Sequence, residues 1–206
     1  MAVNSSPYLL AIESAIAGGS IALFQQRKLV AGRSGSNSVS RAEDLLQNIR
    51  NLADEAAISK NDLERIAISL GPGSYTGLRI GIASVMGLCK GLSIEYVGVP
   101  LFASLAAAFP TAEILAVPMG KADICFCRTD ALYRPMITTA SALAVELNQR
   151  ESAAFAVHSD LLQSLSLPQG AIDMGSNLAQ FIGRASFSLP ASESLEPIYV
   201  QNPRFG

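Results

Sequence analysis

The sequence predicts an α/β protein of two lobes, each a mixed sheet with helices laid on it. Three observations lead there. Strand-like and helix-like runs alternate along the first half of the chain, and the alternation restarts, more faintly, after Glu113. Half of the 206 residues are hydrophobic and only 16% are charged, which is enough apolar material for a sizeable core. The predicted division is residues 1–109 for the first lobe and 110–206 for a smaller, divergent second one.

Each element has its own reason. Residues 8–14, "YLLAIES", read as a buried strand. A Gly-Gly turn leads to a second strand at 18–26, and "RKLVAGRS" makes a third, so the three form an antiparallel meander. Apolar residues at Leu45, Leu46, Ile49, Leu52, Ala53 and Ala56 recur at helical spacing and predict an amphipathic helix over 41–57. Ser59 and Asp62 are turn or cap residues before a strand at 64–70. After a glycine-rich helix come a strand at 94–100 and a short alanine-rich helix ending near Pro110. In the second half, "EILAVPM", "ADICFCRTD" and "AAFAVHS" read as strands, and "SALAVELNQ" and "NLAQFIGRA" as helices. The polar tail "ASESLEPIYVQNPRFG" reads as a surface extension.

Charge and composition narrow the function classes. Fifteen Lys and Arg against seventeen Asp and Glu leave a formal charge of −2. That offers no basic surplus to hold nucleic acid unaided, because phosphate binding draws on clustered Lys and Arg. Three cysteines, Cys89, Cys125 and Cys127, make no even disulfide framework and suit a reducing compartment. The N-terminal run lacks a positive region and meets Glu13 early, so it does not read as a signal peptide. The longest uncharged stretch, 96–112, is interrupted by Pro100 and Pro110 and falls short of the roughly 20 apolar residues of a membrane span. The expectation is a cytoplasmic protein without a membrane segment.

The densest signal is "ISLGPGSYTGLRIGIASVMGLCKGL", residues 68–92. A strand breaks at Gly71-Pro72-Gly73 and a helix begins at Ser74. Such a turn aims backbone N–H groups outward, where the helix dipole favours an anion. It fits neither a P-loop, which needs Lys and Ser or Thr after the second glycine, nor the dinucleotide G-x-G-x-x-G, nor G-x-S-x-G. Two readings of the loop stand: an anion site, or a tight turn with Ser74 as helix cap. In the helix, Gly77, Gly81, Ser84, Gly87 and Gly91 fall on one arc. Leu78, Ile82, Val85 and Cys89 make an adjacent bulky face suited to a sheet, and a narrow stripe with Arg79 and Lys90 is left for water. The small-residue face permits close approach by another helix. That helix is either the chain's own 41–57 or a subunit's.

These residues carry a resemblance. "LLAIES", "GGSIAL" and "LERIAISLGPGSYTGLRIGIASVMGLCKGLSIEYVGVPLFASLA" resemble the bacterial TsaB (YeaZ) family pattern I-L-A-I-D-T-S, G-P-G-S-F-T-G-L-R-I-G, A-K-G-L and V-G-V-S-S-L. The likeness spans residues 8–108 and is most specific at Gly71–Gly81. The second half matches loosely, through "ILAVPMGKADICFC" and "LEPIYVQ".

The resemblance implies a two-lobed actin/sugar kinase/Hsp70-like fold and a non-catalytic subunit. Such a subunit pairs with a TsaD-type catalytic paralogue and works with a TsaE-type ATPase and a TsaC-type synthase, making threonylcarbamoyladenosine beside the tRNA anticodon. ATP is used by the assembled complex, tRNA is met only through it, and the chain alone forms a homodimer. The implied partner interface comprises Leu45, Ile49, Gly77, Arg79, Gly81, Ser84 and Gly87. Glu13, Ser14, Gly71, Gly73 and Ser74 would mark a vestigial nucleotide or anion site.

The departures from the pattern are specific. The family's D-T-S is Glu13-Ser14-Ala15 here. No histidine stands in "SVSRAED" before the first helix, and Met119 stands where a D-A-R motif would place its Asp.

Other chemistry is sparse. His158 is the only histidine, so it cannot supply the H-x-x-x-H of metal-binding relatives, and it reads as structural. Cys125 and Cys127 share a strand face without a second Cys/His pair, and they read as core thiols. "AIDMGSN" resembles a D-x-G phosphate turn but reads more simply as a turn and cap. The enzyme alternatives are an ATP-dependent phosphotransferase or a peptidase of the same fold. The first needs two phosphate loops and a metal-binding Asp; the second needs metal ligands. A stand-alone homodimer with a different partner is a third reading.

Overall fold

The computed structural model describes residues 7–35, 44–120, 122–132, 134–149, 154–165, 167 and 170–200. Two five-stranded sheets form its frame. The first contains β1 (Tyr8–Glu13), β2 (Ser20–Gln25), β3 (Lys28–Ser34), β4 (Leu63–Ser69) and β5 (Glu95–Val99), in the order β3-β2-β1-β4-β5. The second contains β6 (Ile114–Met119), β7 (Asp123–Arg128), β8 (Met136–Thr139), β9 (Phe155–Val157) and β10 (Ile172–Asp173), in the order β10-β9-β6-β7-β8. Each sheet has an antiparallel meander on one side of its first strand and parallel neighbours on the other. The two lobes therefore share one topology.

The helices follow the same plan: α1 (Leu45–Glu55), α2 (Tyr75–Leu92) and α3 (Leu101–Ala108) in the first half, α4 (Ala140–Asn148), α5 (Ser159–Ser164) and α6 (Ala179–Ser186) in the second. Strand alternation assigns the layers. Leu10, Ile12, Ile66 and Ile68 face outward onto Leu45 and Leu52 of α1 and Ile82, Val85 and Cys89 of α2. Leu9, Ala11, Ala67 and Val97 face inward onto α3 and α6, which meet Leu115, Val117, Cys125 and Cys127 of the second sheet from the other side. The second sheet's far face packs on α4 and α5. Five layers result: helices, sheet, helices, sheet, helices. The central pair of helices gives both lobes a common core.

Most predicted elements lie where expected, within a residue or two. The start of the predicted helix 41–57 and most of "SVSRAED" lie outside the described residues. Ser59 and Asp62 form a reciprocal capping box: Ser59 N–H donates to Asp62 Oδ2 at 2.7 Å, and Ser59 Oγ accepts from Asn61 at 3.3 Å.

Two expectations need correction. The first concerns the chain after residue 173. α6 packs closely on β1, β2, β4 and β5 of the first sheet, with its other side in the core shared with the second sheet. It can approach because Gly183 lies directly against the Phe24 ring, where a Cβ would have no room. The last helix thus lies between the two sheets. The second concerns the tail, which is no free surface extension over 191–200. Ser192 N–H donates to Tyr96 O at 2.9 Å, Gly98 N–H to Ser192 Oγ at 3.0 Å, and Ile198 N–H to Leu70 O at 2.7 Å. Leu195 is buried in the outer core of the first sheet. The tail finishes the exposed edge of β5 and leads Tyr199 to the start of α2.

Candidate functional site

The sequence-derived candidates meet at the carboxyl ends of β1 and β4. Two turns face each other there: Glu13-Ser14-Ala15-Ile16 after β1, and Gly71-Pro72-Gly73-Ser74 after β4. The Gly71-Pro72 peptide is cis, and Gly71 has φ +94°, a conformation that suits glycine. Ser74 caps α2, its Oγ accepting from Gly77 N–H at 3.4 Å.

The turns hold each other closely. Ser14 Oγ donates to Gly77 O at 2.9 Å, and Ser74 N–H donates to Ala15 O at 3.0 Å. Gly71 N–H donates to Ser69 Oγ at 3.1 Å. The Ala15 methyl fills the space a Cβ on Gly73 would need. An anion loop leaves a concavity lined by free N–H groups. Here three of the candidate donors are engaged within the chain, and the space before them holds Ser14 and Ala15.

Glu13 is 1% exposed. Its carboxylate accepts from its own downstream backbone, Ala15 N–H at 2.8 Å and Ile16 N–H at 3.1 Å. Burial raises its pKa from 4.5 to about 7, and the two backbone hydrogen bonds lower it in part. The carboxylate is turned into the protein, where it braces the turn that carries Ser14 and Ala15.

That turn explains two of the glycines. A Cβ on Gly77 would collide with the Ser14 carbonyl and lie 2.9 Å from Ala15 Cα; a Cβ on Gly81 would overlap Ser14 Oγ and lie 2.8 Å from Ser14 Cβ. The close neighbour is neither helix 41–57 nor a subunit but the β1 turn, more than 60 residues away in sequence. Gly87 and Gly91 differ: nothing lies within 4 Å of where their Cβ atoms would be. The bulky face meets the first sheet as expected, with Leu78, Val85 and Cys89 at 2% exposure or less. The water-facing stripe is wider than the sequence predicted. It runs through Tyr75, Thr76, Arg79, Ala83, Met86, Gly87, Lys90 and Gly91.

Of the seven interface candidates, Arg79 and Gly87 are exposed, Ile49 and Ser84 are half-buried, and Leu45, Gly77 and Gly81 are buried within the chain. Arg79 lies over the Tyr75 ring, 5.2 Å from its centroid, and its Nη1 donates to Tyr75 Oη at 2.5 Å. Tyr199 stands against Tyr75 with centroids 5.1 Å apart, both rings largely exposed. Sequence reasoning missed Tyr199; the loose match at "LEPIYVQ" was the available signal.

The remaining candidates are structural in their contacts. His158 is 1% exposed and caps α5, its Nδ1 accepting from Asp160 N–H at 3.2 Å, and burial lowers its pKa. Cys125 and Cys127 are buried and their thiols are pushed up to about 12 and about 11. In "AIDMGSN", Asp173 Oδ1 accepts from Gly175 N–H and Ser159 Oγ, both at 2.7 Å, making a closed turn. Among the described residues no three His, Cys, Asp or Glu side chains gather as a metal set. Nor is any helix among them long and apolar enough to cross a membrane. Cavities of about 440 and 500 Å³ open beside Glu64 and Glu95, at the amino ends of β4 and β5 and the far end of the sheet.

Residues 38–153 match the family described as "TsaD: tRNA N6-adenosine threonylcarbamoyltransferase". The chain belongs to that family, on its TsaB/YeaZ branch. The TsaB protein of Buchnera aphidicola, named for tRNA threonylcarbamoyladenosine biosynthesis, is 31% identical over 101 residues, 49% of this chain and 48% of that relative. TsaB of Escherichia coli K12 is 32% identical over 62 residues, 30% of this chain and 27% of the relative. The chain thus spans about half the length, or less, of the curated relatives it matches. Among solved structures, YeaZ from Pseudomonas aeruginosa superposes with a TM-score of 0.62 at 20% identity, covering 94% of this TsaB/YeaZ chain and all of the other. The fold is the two-lobed one that the family resemblance implies.

The cap can be tested locally. Ser74→Ala removes the one side-chain acceptor at the start of α2 and is expected to cost about 1 kcal/mol. For a chain of this size that is a fall in Tm of about 2–4 °C, read by thermal melting followed by circular dichroism.

Proposed function

We propose that this chain is a non-catalytic subunit of the machinery that installs threonylcarbamoyladenosine in tRNA, and that it docks on a TsaD-type catalytic paralogue through the outer face of α2. The single observation that carries the reading is the state of the α2 N-terminus. Where a nucleotide-binding relation would keep an open phosphate loop, this chain packs Ser14 and Ala15 into Gly73, Gly77 and Gly81. The same helix turns a long face outward, with Tyr75, Arg79 and Met86 exposed and Gly87 and Gly91 open. Family membership supports the reading, as do the names of the curated relatives.

In this reading ATP turnover belongs to the assembly, with a TsaE-type ATPase as a further partner. Alone, the chain pairs with a second copy through the same face, and tRNA is held by the complex. A phosphotransferase reading is less well supported, because it needs a metal-binding Asp, and Glu13, which stands where the family pattern has Asp, is buried and bonds to its own backbone.

Two measurements test this. Depletion of the protein is expected to lower threonylcarbamoyladenosine in digested total tRNA, read by mass spectrometry. The purified chain is expected to co-elute with the TsaD-type protein of the same organism. Unchanged nucleoside levels in a strain with no second copy, together with no co-elution, would overturn the proposal.

A further inference from the structure

We infer that residues 173–179 are a clasp that fixes the angle between the two lobes, with Asn177 as its positioning residue and Gly32 as its seat. The chain crosses from the second lobe back to the first in this short stretch, between β10 and α6. In a two-lobed protein such a crossing is where a hinge would bend, and a hinge needs residues free to change φ and ψ.

Here both ends of the crossing are tied. Toward the second lobe, Met174 N–H donates to Val157 O at 2.9 Å and Ser159 N–H to Gly175 O at 3.4 Å. Asp173 gathers Gly175 N–H and Ser159 Oγ on one oxygen. Toward the first lobe, Ser176 Oγ donates to Ser34 Oγ at 3.1 Å. Asn177 Nδ2 donates to Ile21 O at 3.1 Å and Arg33 O at 3.4 Å, bonding to β2 and β3 together. Ala179 N–H donates to Ser20 Oγ at 3.0 Å, and Ser20 is 5% exposed. Asn177 Oδ1 accepts from Gln180 N–H at 3.2 Å at the start of α6. One amide thus does two tasks: its oxygen caps the helix and its nitrogen ties the helix start to the first sheet.

Gly32 makes this possible. A Cβ there would lie 2.7 Å from Asn177 Nδ2 and 3.3 Å from Ile21 O, so any side chain would lift the amide off its two acceptors. The glycine in an otherwise ordinary edge strand has a stated reason in this contact. With the clasp shut, the lobes move as one body, and the α2 face and the tail are presented in one fixed relation to the second lobe.

Two variants separate the clasp from the cap. Asn177→Asp keeps an acceptor for Gln180 N–H but turns a carboxylate toward two carbonyls. Gly32→Ala leaves Asn177 in place and fills its seat. Spin labels on Arg50→Cys and Val145→Cys, on exposed positions of α1 and α4, report the distance between the lobes; the buried native cysteines are inaccessible to the label. The full-length protein with native clasp is expected to give one narrow distance distribution. Both variants are expected to broaden it while far-ultraviolet circular dichroism stays unchanged. If Asn177→Asp does not fold, Gly32→Ala decides by itself. A broad distribution in the native protein, or a narrow one retained in the folded variants, overturns the inference.

Discussion

Gly81→Leu is expected to unfold the chain, or to leave it melting far below the native protein, whether or not a partner is present. The Cβ alone would overlap Ser14 Oγ and sit 2.8 Å from Ser14 Cβ, and three further carbons follow it. Ser14 cannot move aside easily: its hydroxyl is bonded to Gly77 O, and the next residue's N–H is held by the buried Glu13 carboxylate. Overpacking costs typically about 1–3 kcal/mol, and more where backbone must shift; about 3 kcal/mol corresponds to roughly 6–12 °C in Tm for a domain of this size. Gly77→Ala should behave alike, since its extra carbon meets backbone atoms of Ser14 and Ala15 rather than a flexible side chain.

The same helix supplies the control. Gly87→Leu adds its side chain where nothing lies within 4 Å, so it should melt like the native protein. If the outer face of α2 is the docking face, it should nonetheless lose co-elution with the catalytic paralogue. Thermal melting and size-exclusion chromatography of Gly81→Leu and Gly87→Leu separate the two cases. A Gly81→Leu protein that melts natively would show that the β1 turn does not pack on α2 as described.

This pair shows what was legible in the sequence. The glycine spacing in 68–92 announced that something approaches α2 closely, and the bulky face was assigned to the sheet correctly. The partner of Gly77 and Gly81 was not legible, because Ser14 and Ala15 carry no periodicity and lie more than 60 residues away. Long strands such as β1, β4 and β6 were legible from continuous apolar runs. β8, α5 and β10 were not: they span four, six and two residues, too short for a hydrophobic period to develop. The tail escaped for a different reason. Most of its attachment is backbone hydrogen bonding to β5 and to Leu70 just after β4, which leaves no mark on composition, and among its described residues Leu195 is the one buried hydrophobic. From sequence, Glu13 belongs to the implied vestigial nucleotide or anion site; the structure turns it inward, and the consequence is electrostatic.

Glu13 is expected to make the protein less stable as the pH rises from about 4.5 to about 7. Its folded pKa is raised from 4.5 to about 7, with burial as the main cause. Below pH 4.5 the carboxyl is protonated in both the folded and unfolded chain and contributes no pH dependence. Between those values the unfolded chain loses the proton while the folded chain keeps it, so the folded state binds more protons and stability falls with rising pH. Above about 7 both forms are ionised and the loss levels off, at no more than about 3 kcal/mol for a shift of this size. Glu13→Gln isolates the effect. It sets an amide NH₂ against one of the two N–H donors and should carry a constant penalty of about 1–3 kcal/mol, but it cannot titrate. The gap in unfolding free energy between the native protein and Glu13→Gln should therefore move in the variant's favour from pH 4.5 to pH 7.5, measured by urea denaturation at each pH. A gap that stays constant over that range would mean the carboxylate is solvated in the folded protein. The bracing of Ser14 and Ala15 against Gly77 and Gly81 by a buried Glu13 would then fail with it.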